Sequence, residues 1–254
     1  MEKKMPKILR KQLLLNLLNG SPIGNTKKGY DGELKVLSAF ENNLPASSTV
    51  IWDPIFIEYK PDFLIIDPEL GFLFVEVKNW SPSFIKNFNK NGTILTKSGQ
   101  KHPLKQTDNY INELNSFLQS FNLNQKDIYR TISSIVIFPN LILEEFSSRS
   151  EVLEWTSQQK NNFCKNHYFK DDLNSNLFQK MLSSKKFSRN FKKIFTLEEV
   201  NNIISSLGVE SVFLSSPKVF EKYNAHMKQP IMFNNKYRIK IKSLLPFYMY
   251  WALF

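Results

Sequence analysis

Two carboxylates and a lysine stand in an unusually apolar setting. Asp62 follows Pro61 and opens the run Phe63–Ile66, and Glu76 and Lys78 close the run Phe72–Val77. Between the runs lies Asp67-Pro68-Glu69-Leu70-Gly71, with Pro and Gly at turn positions. The pattern predicts a β-hairpin. Side chains alternate along a strand, so Glu76 and Lys78 share a face and all three charges can meet at one end. Burying them there is costly unless they are paired or bind a metal.

That residue set suits metal-assisted hydrolysis of a phosphodiester. Asp62, Glu76 and the Val77 carbonyl would offer oxygen ligands to Mg2+, with Mn2+ as a substitute. The cation would activate water and polarise the phosphoryl oxygen. Lys78 would orient that water or stabilise charge on the phosphate. Spacing alone is weak evidence, because Glu-x-Lys recurs at Glu2, Glu33, Glu58 and Glu76. Only the last ends an apolar strand fourteen residues after a Pro-Asp strand start.

The elements that must position these residues follow from periodicity. Apolar residues at 34, 37 and 40 predict an amphipathic helix from Gly32 to about Asn43. It carries Glu33, which would complete the metal shell directly or through water, or stand as an ordinary exposed carboxylate. A strand interrupted by Asp53-Pro54 is predicted over Val50–Ile57, then the hairpin, then short strands at Phe84–Phe88 and Thr93–Thr96 among loops. Pro103 opens a helix to about Phe121, and Tyr129–Phe138 reads as a strand. On that helix Gln106 and Tyr110 are four apart and share a face. They would touch substrate phosphate or the catalytic carboxylate, or form a polar helix surface. Trp80 would stack on a base or cap the core. His102 reads as a loop residue. The order helix, three strands, helix, strand predicts an α/β sandwich.

At the N-terminus, residues 5–18 read as a short amphipathic helix rather than a signal peptide, and Gly20–Gly32 as a loop without the ending of a phosphate loop. Cys164 and His167 lack a second ligand pair, which argues against zinc. Thr196-Leu-Glu-Glu199 resembles a capping box opening a helix to Leu207.

Composition narrows the partners. The 254 residues carry 34 Lys+Arg against 23 Asp+Glu, a formal net charge of +11. That excess suits nucleic acid or an anionic membrane surface; codon bias toward Lys and Asn is the bland alternative. Lys185, Lys186, Arg189, Lys192 and Lys193 form a basic segment suited to phosphates. A single cysteine excludes an intrachain disulfide framework and fits a reducing, cytoplasmic compartment. No stretch approaches the length of a transmembrane span.

Gly32-Glu33, Pro61-Asp62, Glu76-Val-Lys78-Asn79-Trp80 and Pro103-Leu-Lys-Gln106 resemble the NERD (nuclease-related) domain of the PD-(D/E)xK nuclease superfamily. Gln106-Thr-Asp-Asn-Tyr110 is similar to the Gln-x-x-x-Tyr motif of its RecB-type exonucleases. The resemblance implies an αβββαβ restriction-endonuclease-like core and Mg2+-dependent cleavage of nucleic acid, expected to be DNA. It places Glu33, Asp62, Glu76, Lys78 and Gln106 at the catalytic positions. The expected organisation is an N-terminal helix and connector (1–27), a nuclease domain (28–140), and a mostly helical, basic accessory region (141–254) with an apolar end. The family implies bacterial DNA processing or defence. Many members are fused to a helicase, and no Walker motif is present here. The chain would act alone, partner a separate helicase or ATPase, or be the leading part of a longer protein. Two other readings stand beside the enzyme: a catalytically inactive nucleic-acid-binding or scaffold module, and a membrane-surface or partner-docking protein acting through 244–254 and the N-terminal helix.

Overall fold

The computed structural model describes residues 5–20, 24–54, 60–119 and 131–184, together with 201 and 204. Within them a six-stranded mixed sheet is flanked by helices on both faces. In chain order the elements are β1 (Lys7–Leu9), α1 (Lys11–Gly20), α2 (Asn25–Asn43), β2 (Thr49–Trp52), β3 (Phe63–Asp67) and β4 (Gly71–Val77). A short β5 (Ile85–Phe88), β6 (Ile94–Thr96) and β7 (Gly99–Lys101) follow, then α3 (Pro103–Gln119) and β8 (Ile132–Phe138). The remainder is α4 (Leu143–Ser147), α5 (Ser150–Leu153), α6 (Ser157–Asn166), β9 (His167–Phe169) and α7 (Leu177–Ser184).

The main sheet runs β1-β2-β3-β4-β8-β9, and β5-β6-β7 form a separate antiparallel sheet. β2, β3 and β4 are antiparallel neighbours, whereas β8 lies parallel to β4. A parallel neighbour needs a crossover, here supplied by the small sheet and α3. The order α2, β2, β3, β4, α3, β8 is the αβββαβ core.

β3 and β4 are buried throughout, as strands covered on both faces should be. On one face Phe63, Ile65, Val75 and Ile137 pack with Val36, Leu37 and Phe40 of α2 and Leu14 of α1. On the other, Val136, Phe138 and Phe169 pack with Phe88 and Ile94 of the small sheet and with Phe146, Trp155 and Phe163. Gly71 turns the hairpin at φ 74°, where a Cβ would meet the Thr131 carbonyl oxygen at 2.3 Å.

Four local expectations change. The predicted helix at 5–18 gives its first residues to β1, because Lys7–Leu9 finds a parallel partner in Thr49–Ile51. Arg10, at φ 70°, separates that strand from α1. α2 begins at Asn25, seven residues before Gly32, so two glycines lie inside the helix despite their low propensity. β7 was not foreseen. Nor was β9, which pairs parallel with β8 as the sixth strand of the main sheet, although it comes from beyond residue 140. The expected helix at 196–207 and the basic segment 185–193 fall outside the described residues, except for helical 201 and 204.

Candidate active site

The site forms where β3 begins and β4 ends. Phe63 pairs with Val75, and one further step of that antiparallel register sets Asp62 across from Glu76. Asp62 Oδ2 accepts a hydrogen bond from the Val77 backbone N–H at 2.5 Å. The Lys78 ammonium donates to Glu76 Oε1 at 2.5 Å, and the pair is largely buried. Lys78 N–H bonds to the Ile137 carbonyl, which ties the strand end to β8. The structure thus brings Asp62, Glu76, Val77 and Lys78 together.

α3 adds Tyr110. Its hydroxyl lies 3.2 Å from Glu76 Oε2 and 3.3 Å from the Lys60 carbonyl oxygen, one proton shared between two acceptors. Tyr110 is 5% exposed, and its ring packs against Phe74. It therefore faces the carboxylate inside the fold. Burial, then Glu76 and Asp62, push its phenol pKa upward, so it remains a hydrogen-bond donor.

Glu33 arrives from α2. Trp52 Nε1–H donates to Glu33 Oε2 at 2.6 Å. Burial raises the Glu33 pKa to about 7; the Trp52 hydrogen bond opposes this, Asp53 and Glu76 add to it, and Lys78 counters it. Asp62 is likewise held well above the ordinary carboxylate range, first by burial and then by Glu76 and Glu33. These carboxylates feel one another, with Lys78 as the cation that opposes both rises.

Further residues support the site in roles that the sequence did not assign to them. Gly32 lets α2 approach the strand end so closely that a Cβ would lie 2.5 Å from Asn79 Cβ. The Asn79 amide donates to the Lys28 carbonyl and accepts from Asn140, joining α2 to the turns after β4 and β8. Asp53 is a fourth acid beside Glu33, in left-handed backbone at φ 43°. Arg10 donates to its carbonyl. Asn79 lay within the Glu-Val-Lys-Asn-Trp string. Asp53 had only its Asp-Pro turn signal.

Other candidates sit apart. Gln106 is exposed, one turn before buried Tyr110. Trp80 is half-buried and packs on Phe84 and Phe138, each 5.9 Å between ring centroids. Cys164 is half-buried, and His167 is stacked on Phe163 with its ring Nδ1 at 2.8 Å from the Phe163 carbonyl.

Among the described residues, no three His, Cys, Asp or Glu side chains stand close enough to form a finished metal cage. Their oxygens are instead occupied by protein donors: the Lys78 ammonium, the Tyr110 hydroxyl, the Val77 N–H and the Trp52 indole. The chemistry of the donor set nevertheless fits a hard divalent cation. It is all oxygen, carries surplus negative charge, and is partly neutralised by an ammonium that a cation could displace.

A mixed sheet with helices on both faces and an acidic, lysine-bearing strand end defines a nuclease-like α/β fold. Residues 28–139 match the family model of the nuclease-related domain, NERD. The matched stretch, less than half of the chain, is similar to the nuclease-related domain. Comparison with curated proteins and with solved structures gave no match.

Proposed function

We propose that the protein is a Mg2+-dependent nuclease acting on DNA. The observation that carries this reading is the convergence of Asp62, Glu76 and Lys78 at one strand end, with Glu33 in electrostatic reach. Asp62, Glu76 and the Val77 carbonyl would hold the cation, with Glu33 bound directly or through water. When bound, the cation would supply Lewis acidity and a more acidic water.

The chain's own groups supply the rest. Lys78 orients the attacking water or stabilises charge on the phosphate as the P–O bond to the leaving oxygen breaks. The Val77 N–H fixes the Asp62 carboxylate, and Tyr110 fixes Glu76. Glu33, with a pKa near neutrality, can hold or release a proton at physiological pH. A role in DNA processing or defence, alone or beside a helicase, is consistent with this chemistry.

The test is cleavage of plasmid and single-stranded DNA in Mg2+ or Mn2+ by wild type, Asp62→Ala and Lys78→Ala. Loss in both folded variants supports the enzyme. The exposed Gln106 and the absence of a finished cage among the described residues favour a second reading, a non-catalytic nucleic-acid-binding module. Binding without cleavage by pure wild type would establish it.

A further inference from the structure

Between Glu76 and Asp108 the chain has six lysines and no Asp or Glu. That short stretch supplies +6 toward a formal net charge of +11. It begins at Lys78, builds the sheet β5-β6-β7, and returns through α3 to Tyr110. Both ends of the small sheet are therefore tethered to residues of the candidate site.

Lys86, Lys90, Lys97, Lys101 and Lys105 are all exposed. None of the five takes part in an ion pair among the described residues, whereas Lys11, Lys60 and Lys180 are paired with Glu41, Asp53 and Asp172. An ordinary solvated surface intersperses both signs of charge. Residues 77–107 contribute only one sign, with Glu151 reaching the sheet from outside that stretch.

The element is also held firmly. Arg149 donates to the carbonyls of Pro82 and Ile85 at 2.7 and 3.1 Å. Glu151 accepts from the Phe88 N–H at 3.2 Å. Ile85, Phe88 and Ile94 are buried against the main fold, with Phe88 edge-on to Phe146 at 5.0 Å. The inner side chains anchor the sheet; Lys101, paired across from Ile94, projects beside them on the edge strand, Lys86 lies on β5, and Lys90 and Lys97 occupy the turns at its two ends, all four exposed. A three-stranded sheet is about 10 Å across at the usual strand spacing, wide enough for several lysines to meet consecutive phosphates.

Resting on the nuclease reading, we propose that β5-β6-β7 is the surface along which the substrate's phosphate backbone lies, guiding it toward Glu76 and Lys78. The recognition is of charge, not sequence: of the apolar side chains on the sheet only Leu95 is exposed, and no exposed aromatic ring is available on it for base stacking.

The experiment is a fluorescence-anisotropy titration of a labelled DNA duplex in EDTA, where cleavage is absent, from about 50 to about 200 mM salt. It compares wild type with the combined Lys86→Ala, Lys90→Ala, Lys97→Ala and Lys101→Ala variant. Lys160→Ala with Lys165→Ala on α6 serves as a charge control. Each lost phosphate contact lowers the slope of log K against log salt by about 0.9. The four-lysine variant is expected to flatten by about two to four in slope and bind at least tenfold more weakly, with the α6 control unchanged. An unchanged slope overturns the proposal, as does an equal effect of the control. Loss of binding to anionic phosphatidylserine vesicles with DNA binding intact would overturn it in favour of a membrane surface. Because binding is read without metal, failure of Asp62 or Lys78 variants to affect cleavage would sink the nuclease reading while leaving this result to stand alone.

Discussion

The Asp62 carboxylate accepts the Val77 N–H at 2.5 Å, across the gap between the start of β3 and the end of β4. One backbone donor thereby orients an acid whose charge is disfavoured first by burial and then by its neighbours Glu76 and Glu33. The carboxylate is placed at a cost to the fold, as expected where a group is kept for chemistry.

Asp62→Asn keeps the shape and removes the charge. Loss of a metal ligand removes several kcal/mol of transition-state stabilisation, so cleavage in Mg2+ should fall at least about 100-fold. In EDTA the same variant should unfold at a higher temperature than wild type, because the crowded charge is gone. A lower midpoint, or unchanged cleavage, would contradict the role assigned to Asp62. Calorimetry and a plasmid assay supply the two readings.

Tyr110 touches Glu76, not solvent. Tyr110→Phe leaves the ring against Phe74 and frees Glu76 Oε2. Groups that orient a ligand typically contribute 10- to 100-fold in metal affinity or activity. The Mg2+ concentration for half-maximal cleavage should rise by about that factor. Thermal shifts check it independently of activity: Mg2+ at ten times its Kd should stabilise wild type by about 1.4 kcal/mol, and the variant should need more cation for the same shift.

Gly32 precedes Glu33 at the point where α2 crosses Asn79. A Cβ at Gly32 would fall 2.5 Å from Asn79 Cβ and 2.6 Å from its Cγ, atoms near the backbone that cannot swing aside. Gly32→Ala should push α2 outward and carry Glu33 with it. Misplacement by about 1 Å can cost about 100-fold in rate. The expected result is a folded protein with that loss in cleavage, while Gly29→Ala, which meets nothing within 4 Å, stays active. Equal activities of the two variants would show that the close approach does not set Glu33.

The hairpin was legible because its signals are local. Two apolar runs, a Pro and Gly turn and three misplaced charges sit within one short stretch, and the structure adds only the register. The α3 face was half legible: Gln106 and Tyr110 are one turn apart, but their burial differs, since Tyr110 lies over Phe74 and Glu76 whereas Gln106, one turn earlier, is exposed. β1 and β9 were not legible. Each is three residues long and exists only because a neighbour, Thr49–Ile51 or Val136–Phe138, offers an unpaired edge. Such strands are made by tertiary pairing, which no window of sequence contains. The hydrogen bond between Asn79 and Asn140 escaped for the same reason, its partners being sixty-one residues apart in the chain.

His167 tests the far side of the same sheet. Glu76 pairs with Val136 and Val136 with His167, so the three form one row across β4, β8 and β9. The His167 ring is buried and stacked on Phe163 at 3.9 Å. Its Nδ1–H is directed at the Phe163 carbonyl, and Nε2 has no partner among the described residues. Burial pushes its pKa down to about 4; the Phe163 carbonyl opposes this and nearby His102 reinforces it. Above pH ~6.5 both folded and unfolded states hold this imidazole neutral. As pH falls, the unfolded chain takes up a proton that the folded one refuses, so stability is lost from pH ~6.5 down to about 4, by on the order of 3 kcal/mol. His167→Phe keeps the stack, and the backbone N–H of residue 167 still satisfies the Phe163 carbonyl. Urea unfolding at a series of pH values should therefore find the variant losing less stability than wild type between pH 7 and 4.5. Parallel curves for the two proteins would show that His167 is not the source of the acid sensitivity; the carboxylates Asp62 and Glu33, whose pKa values are raised in the fold, act in the opposite direction.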